Sequence, residues 1–172
     1  MKPENRRHRR HRSTWVAVVI TGALAAGCAA LAPPSLSLGT SVADAQRSLG
    51  APTGQYALAD GGTRLEYGRA PYGQQTWMFD FDAHGGFTQT TQVLTEARFN
   101  RILKGMTRDE LLTTLGHPSE QSVIGLQRQT VWSYRFAGHF CQWFQVGINA
   151  AGRVADTGYY PDPNCDHRDP AV

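Results

Sequence analysis

The sequence predicts an α+β fold made of two tandem units, each a helix or helical hairpin packed on a three-stranded antiparallel β-meander. Three observations carry this expectation. The first is a helix with its own start and stop between Thr107 and Pro118, the second is the run of period-two strands that follows it, and the third is an earlier, weaker copy of both at an offset of 66 residues.

Thr107 is followed three residues later by Glu110, the pairing in which hydroxyl and carboxylate satisfy two of the N–H groups that a helix start leaves bare. Leu111, Leu112 and Leu115 fall on one stripe, Gly116 supplies a C-terminal cap, and Pro118 forbids continuation. Upstream, Thr95 starts a shorter helix whose Phe99, Ile102 and Leu103 share a side, and Lys104-Gly105-Met106 makes the corner between the two. The earlier copy runs from Gly39 to Pro52. Ser41 falls on Thr107 and Asp44 on Glu110, so the cap is repeated along with the Leu-Gly-x-Pro stop. Further on, Tyr67, Asp82, Gly85 and Phe87 match Tyr134, Asn149, Gly152 and Val154 at an offset of 67.

The strands follow from alternation. Arg64–Tyr67 reads as a brief strand after a Gly-, Ala- and Asp-rich loop over 53–62. In Gln75–Asp82, Trp77, Phe79 and Phe81 take one face while Met78, Asp80 and Asp82 take the other. Ala83-His84-Gly85-Gly86 turns the chain back into Phe87–Val93. The second unit repeats the plan with Thr130–Phe136, Phe140–Ile148, a turn at Asn149–Gly152 and a return over Arg153–Tyr160. A meander of this kind needs cover on one face, which the leucine stripe provides.

The formal charge of +3 hides an asymmetry. Residues 1–27 carry six basic side chains against Glu4, which leaves eleven basic and thirteen acidic residues from Cys28 onward. The body is mildly acidic, so no nucleic-acid footprint is expected. The first 27 residues have the anatomy of an export signal: a run of arginines, then TWVAVVITGALAAG, then small residues ending at Cys28. Cys28 is the expected lipid attachment point and mature N-terminus, with residues 28–37 a Pro-rich tether. An uncleaved anchor is the other reading, since Trp15 to Ala32 gives 18 uncharged residues. Either way the arginines stay in the cytoplasm and the body is exported. That leaves Cys141 and Cys165. In an oxidising compartment they pair as a disulfide closing a loop of about 24 residues, worth ~3 kcal/mol, or else remain two thiols.

No constellation for catalysis, metal binding or a cofactor emerges. Asp80 and Asp82 share a strand side but fail the calcium-loop pattern, because His84 takes a ligand position and Thr91 stands where the bidentate Glu belongs. They read as solvated aspartates on an edge face. His139 and Cys141 lack the signature of a thiolate–imidazole couple. His84 and His117 read as polar loop residues, and Asp156 and Glu66 have no evident partner.

The stretch from Leu94 to Tyr159 resembles the BamE family of outer-membrane lipoproteins, also called SmpA/OmlA. The likeness rests on Lys104-Gly105-Met106-Thr107, Leu115-Gly116-His117-Pro118, Trp132-x-Tyr134 and the Asn149–Gly152–Val154 turn, with the cysteine box at Cys28 in agreement. Residues 38–93 form a first, looser BamE-like unit, 94–160 the second, and 161–172 a C-terminal tail. The resemblance implies a lipid-anchored protein on the periplasmic side of the outer membrane that supports the β-barrel assembly machine through contacts with envelope proteins and phospholipid. Tandem units of this kind also resemble secreted β-lactamase-inhibitor proteins, so a periplasmic binding or inhibitor protein is the alternative. The expected contact residues are Tyr72 and Trp143 as exposed aromatics, packing between the two units being the other reading of both, with Arg135 and Arg153 either meeting lipid phosphates or standing solvated on their strands.

Overall fold

Serine and threonine hydroxyls start the two longer helices. The structure, a computed structural model, describes residues 35–125 and 128–165, all within the compact unit Pro33–Val172. The export segment, Cys28 and the end of the tail lie outside the described residues. Helix α1 spans Val42–Leu49, and Ser41 Oγ accepts from Asp44 N at 3.1 Å. Helix α2 is one turn, Glu96–Phe99, and the Thr95 side chain makes no capping bond. Helix α3 spans Arg108–Leu115 behind a complete capping box, in which Thr107 Oγ1 accepts from Glu110 N and Glu110 Oε2 accepts from Thr107 N at 2.7 Å. Both eight-residue helices stop at a glycine with positive φ, Gly50 at 88° and Gly116 at 79°.

The strands correct the expected architecture. Instead of helices packed on three-stranded meanders, the described chain forms two separate four-stranded antiparallel sheets, with one short helix before the first and two between them. Sheet 1 runs β1 (Gly54–Ala57), β2 (Thr63–Gly68), β3 (Thr76–Phe81) and β4 (Phe87–Gln92) in chain order. Sheet 2 runs β5 (Glu120–Ile124), β6 (Gln129–Arg135), β7 (Gln142–Ile148) and β8 (Val154–Pro161), also in order. The added strands, β1 and β5, are both edges. β1 lies in the stretch read as a loop. β5 has no buried residue, so it carries no apolar period; it is held by its ladder to β6, Glu120↔Ser133 through Ile124↔Gln129.

Both faces of sheet 1 are covered. On one, Leu65, Phe79, Phe81 and Phe87 pack against Ala45 with Val42 and Leu49 of α1 alongside, and each fully buried side chain contributes roughly 1.5–3 kcal/mol. The other face is not solvated, as the alternation of Met78 and Asp80 suggested. Met78 is fully buried in a second cluster with Leu111 and Leu115 of α3 and with Tyr134, Phe144, Val146 and Ile148 of sheet 2. Phe99 of α2 stacks on Phe144 at 4.3 Å between centroids and meets Phe136 edge-on. The end of α3 is thus wedged between the sheets. Tyr134 Oη donates to Gly116 O at 3.2 Å from one side, and Glu66 Oε1 accepts from His117 N at 3.0 Å on the other.

Candidate interaction surface

Strand register decides which side chains look outward from sheet 2. Trp132, Tyr134, Phe144, Val146 and Ile148 point into the core, so their neighbours Val131, Ser133, Arg135, Trp143, Gln145 and Gly147 take the opposite face. Across the ladders this face continues into Ile124 on β5 and into Asp156, Gly158 and Tyr160 on β8. Among the described residues no helix covers it. A shallow groove of about 330 Å³ runs over it, walled by Ile124, Val131 and Tyr160 and floored by Gly147 and Gly158, with Asp156 at one side.

Two glycines shape this groove. A Cβ on Gly147 would collide with Asp156 Oδ1 and approach Gln129 Oε1 at 3.0 Å, so the missing side chain is what seats the carboxylate. A Cβ on Gly158 would lie 2.9 Å from Tyr160 Cε2, so the ring also rests on a bare strand.

Beside the groove sits a buried ion pair. Arg135 Nε donates to Asp162 Oδ2 at 2.8 Å, Nη1 donates to Pro71 O at 2.8 Å, and the guanidinium stacks over Trp143 with Cζ 4.9 Å from the ring centroid. Asp162 is held there because Cys141 and Cys165 stand at disulfide distance, with Cα atoms 6.0 Å apart, folding the chain after β8 back onto β7. A bidentate second pair, Arg64 with Asp80 at 2.6 and 2.7 Å, sits at the back of sheet 1, and Arg64 Nη1 also donates to Thr113 O of α3. Burial works against the charge of Asp80, yet hydrogen bonds from Arg64 and Gln89 and the Arg64 charge outweigh it and hold the carboxyl below its ordinary range. The third polar cluster is Glu66, 1% exposed, which takes a hydrogen bond from Tyr56 Oη and contacts His117 Nδ1 at 2.8 Å. Burial first, then the bond to Glu66, raises the Tyr56 hydroxyl far above its usual value.

These positions revise the residue expectations. Trp143, read as an exposed contact, is 6% exposed and serves as the floor under Arg135. Arg135 is neither a solvated charge nor open to a phosphate, because it is buried and paired. Arg153 sits elsewhere, its Nη1 donating to Gly105 O at 3.0 Å at the corner before α3. Tyr72 is exposed, at 77%, beside the same Arg135, Cys141 and Asp162 cluster. Asp80 is a buried partner on a central strand and not a solvated edge residue, and Asp82 accepts from His84 N and Gly86 N as the cap of its turn. Glu66 and His117, which the sequence left unpartnered, find each other across 51 residues. Apart from Ile124 on β5, the groove residues lie on or beside strands the sequence predicts, but nothing local marks their outward sides as one groove. The alternation of Gln129, Val131, Ser133 and Arg135 was the available signal that β6 presents a second, mixed face.

No family model, curated protein or solved structure matches the chain. Among the described residues no helix is long and apolar enough to cross a membrane, and no group of His, Cys, Asp and Glu could hold a metal ion.

Proposed function

We propose that this chain is a lipid-anchored envelope adaptor that works by holding a protein partner against the outer face of sheet 2. The observation that carries the reading is the asymmetry of the two sheets. Sheet 1 is covered on both sides, by α1 and by α3, whereas sheet 2 spends one face on the core and carries no described helix on the other, where Val131, Ser133, Arg135 and Trp143 are buried at the centre and Ile124, Asp156 and Tyr160 are exposed at the edges. The anchor rests on the sequence, on the arginine run, the uncharged segment and Cys28. The likeness to BamE proteins supports the mode of action, contact with other envelope proteins, and not the fold.

The inhibitor alternative called for one continuous concave sheet. The two sheets are hydrogen bonded separately, so no observation favours it. Photo-crosslinking in native envelopes tests the proposal. A photoreactive side chain at Gln145 on the open face is expected to give a discrete protein adduct, and one at Gln46 on α1 is not. Equal labelling from both positions, or none from Gln145, overturns the reading. Separately, Cys28→Ser is expected to abolish incorporation of radioactive palmitate, and persistence of label would remove the anchor.

A further inference from the structure

The groove on sheet 2 has a chemistry more specific than a flat contact surface. Its walls, Ile124, Val131 and the Tyr160 ring, are apolar, and its polar groups are the Asp156 carboxylate with the Gln129 and Gln145 carboxamides. Asp156 is exposed, and among the described residues its side chain has one long hydrogen bond, from Gln129 Nε2 at 3.4 Å, and no salt bridge, so its carboxylate is open to a ligand. Other charges facing outward on this sheet leave it that way. Arg135 is taken by Asp162 at 2.8 Å and lies 3.9 Å from Glu120, so it is not free to pair with Asp156. The groove joins a hydrocarbon lining to one carboxylate and two carboxamides.

We infer that this groove receives an arginine side chain from the protein partner. The inference rests on the proposed role of the open face. An arginine stem is long enough to lie along Ile124 and Val131, its planar fork matches a carboxylate with a carboxamide oxygen beside it, and the Tyr160 ring offers its face to the cation. Lysine supplies the charge without the planar fork, so it binds less well. The two floor glycines are part of the site. Gly147 gives Asp156 its place, so an alanine there displaces the carboxylate while leaving the charge on the chain.

The test is a titration of the full chain in detergent with a short blocked peptide, Gly-Ser-Arg-Ser-Gly, and its neutral twin carrying citrulline. Backbone amide resonances of Gly147 and Gly158 are followed. The arginine peptide is expected to shift them and to bind about tenfold more tightly than the citrulline twin, the value of one charge-assisted hydrogen bond. Asp156→Asn is expected to erase that difference, and Gly147→Ala to reduce it, with the rest of the spectrum unchanged. Equal binding of the two peptides, or shifts confined to other strands, overturns the inference while leaving the photo-crosslinking result intact. Shifts at Gly147 and Gly158 that grow with protein concentration alone would place a second copy of the chain in the groove and also overturn it.

Discussion

Asp80 is a carboxylate whose protonation the fold opposes. Its folded value lies below the ordinary one, so its contribution to stability is full above the unfolded carboxyl value near 4 and is lost as pH falls through the depressed folded value. Urea unfolding against pH is expected to show this acid loss, and Asp80→Asn to flatten it. That variant also leaves Arg64 buried without its partner, so it costs ~3 kcal/mol at neutral pH. The alkaline side has the opposite sign. Burial, with the Glu66 charge behind it, keeps the Tyr134 hydroxyl neutral well above 10.0, so stability falls as pH rises past that value, where the unfolded chain ionises and the folded one does not. Tyr134→Phe should shrink this alkaline loss in the same unfolding series.

At the scale of elements, the paired glycine stops allow a clean comparison. Gly50 and Gly116 both have φ values that side chains disfavour, but a Cβ on Gly50 meets nothing within 4 Å, whereas one on Gly116 comes within 2.7 Å of Glu66 Cδ. Gly50→Ala should therefore cost ~1 kcal/mol, the backbone penalty alone, and Gly116→Ala about 2 kcal/mol or more, read from denaturant midpoints. Legibility in the sequence tracked the same distinction between local and distant causes. The caps at Ser41 and Thr107, the glycine stops and the strand at Trp77–Phe81 are local patterns, and they were readable. Edge strands β1 and β5 were not, because their stability comes from a neighbour's ladder and they bury almost nothing of their own. Neither was the second buried face of sheet 1, since Asp80 and Glu66 look like surface residues until Arg64, His117 and α3 are placed against them. The groove suffered for the same reason, being assembled from four strands with nothing local to mark their outward sides as one groove.

Over the whole described molecule, polar bonds link sheet 1 to α3 and, through one loop, to sheet 2. Glu66 with His117 and Arg64 with Thr113 tie sheet 1 to α3, while Arg135 reaches Pro71 from sheet 2. The Cys141–Cys165 link holds the last of these by keeping Asp162 on Arg135. Replacing both cysteines by serine closes no loop in the unfolded chain and should lower stability by ~3 kcal/mol, measured by thermal unfolding, without altering α1 or β1–β4. The proposed partner would meet the outer face of sheet 2, on which no described helix packs. Amide hydrogen exchange on the chain in its own envelope, compared with the purified chain, puts that claim to the most direct test. Slower exchange in β5 and β8 with β2, β3 and α1 unchanged is the predicted result. Protection confined to sheet 1 or α1, or no protection anywhere, would contradict it.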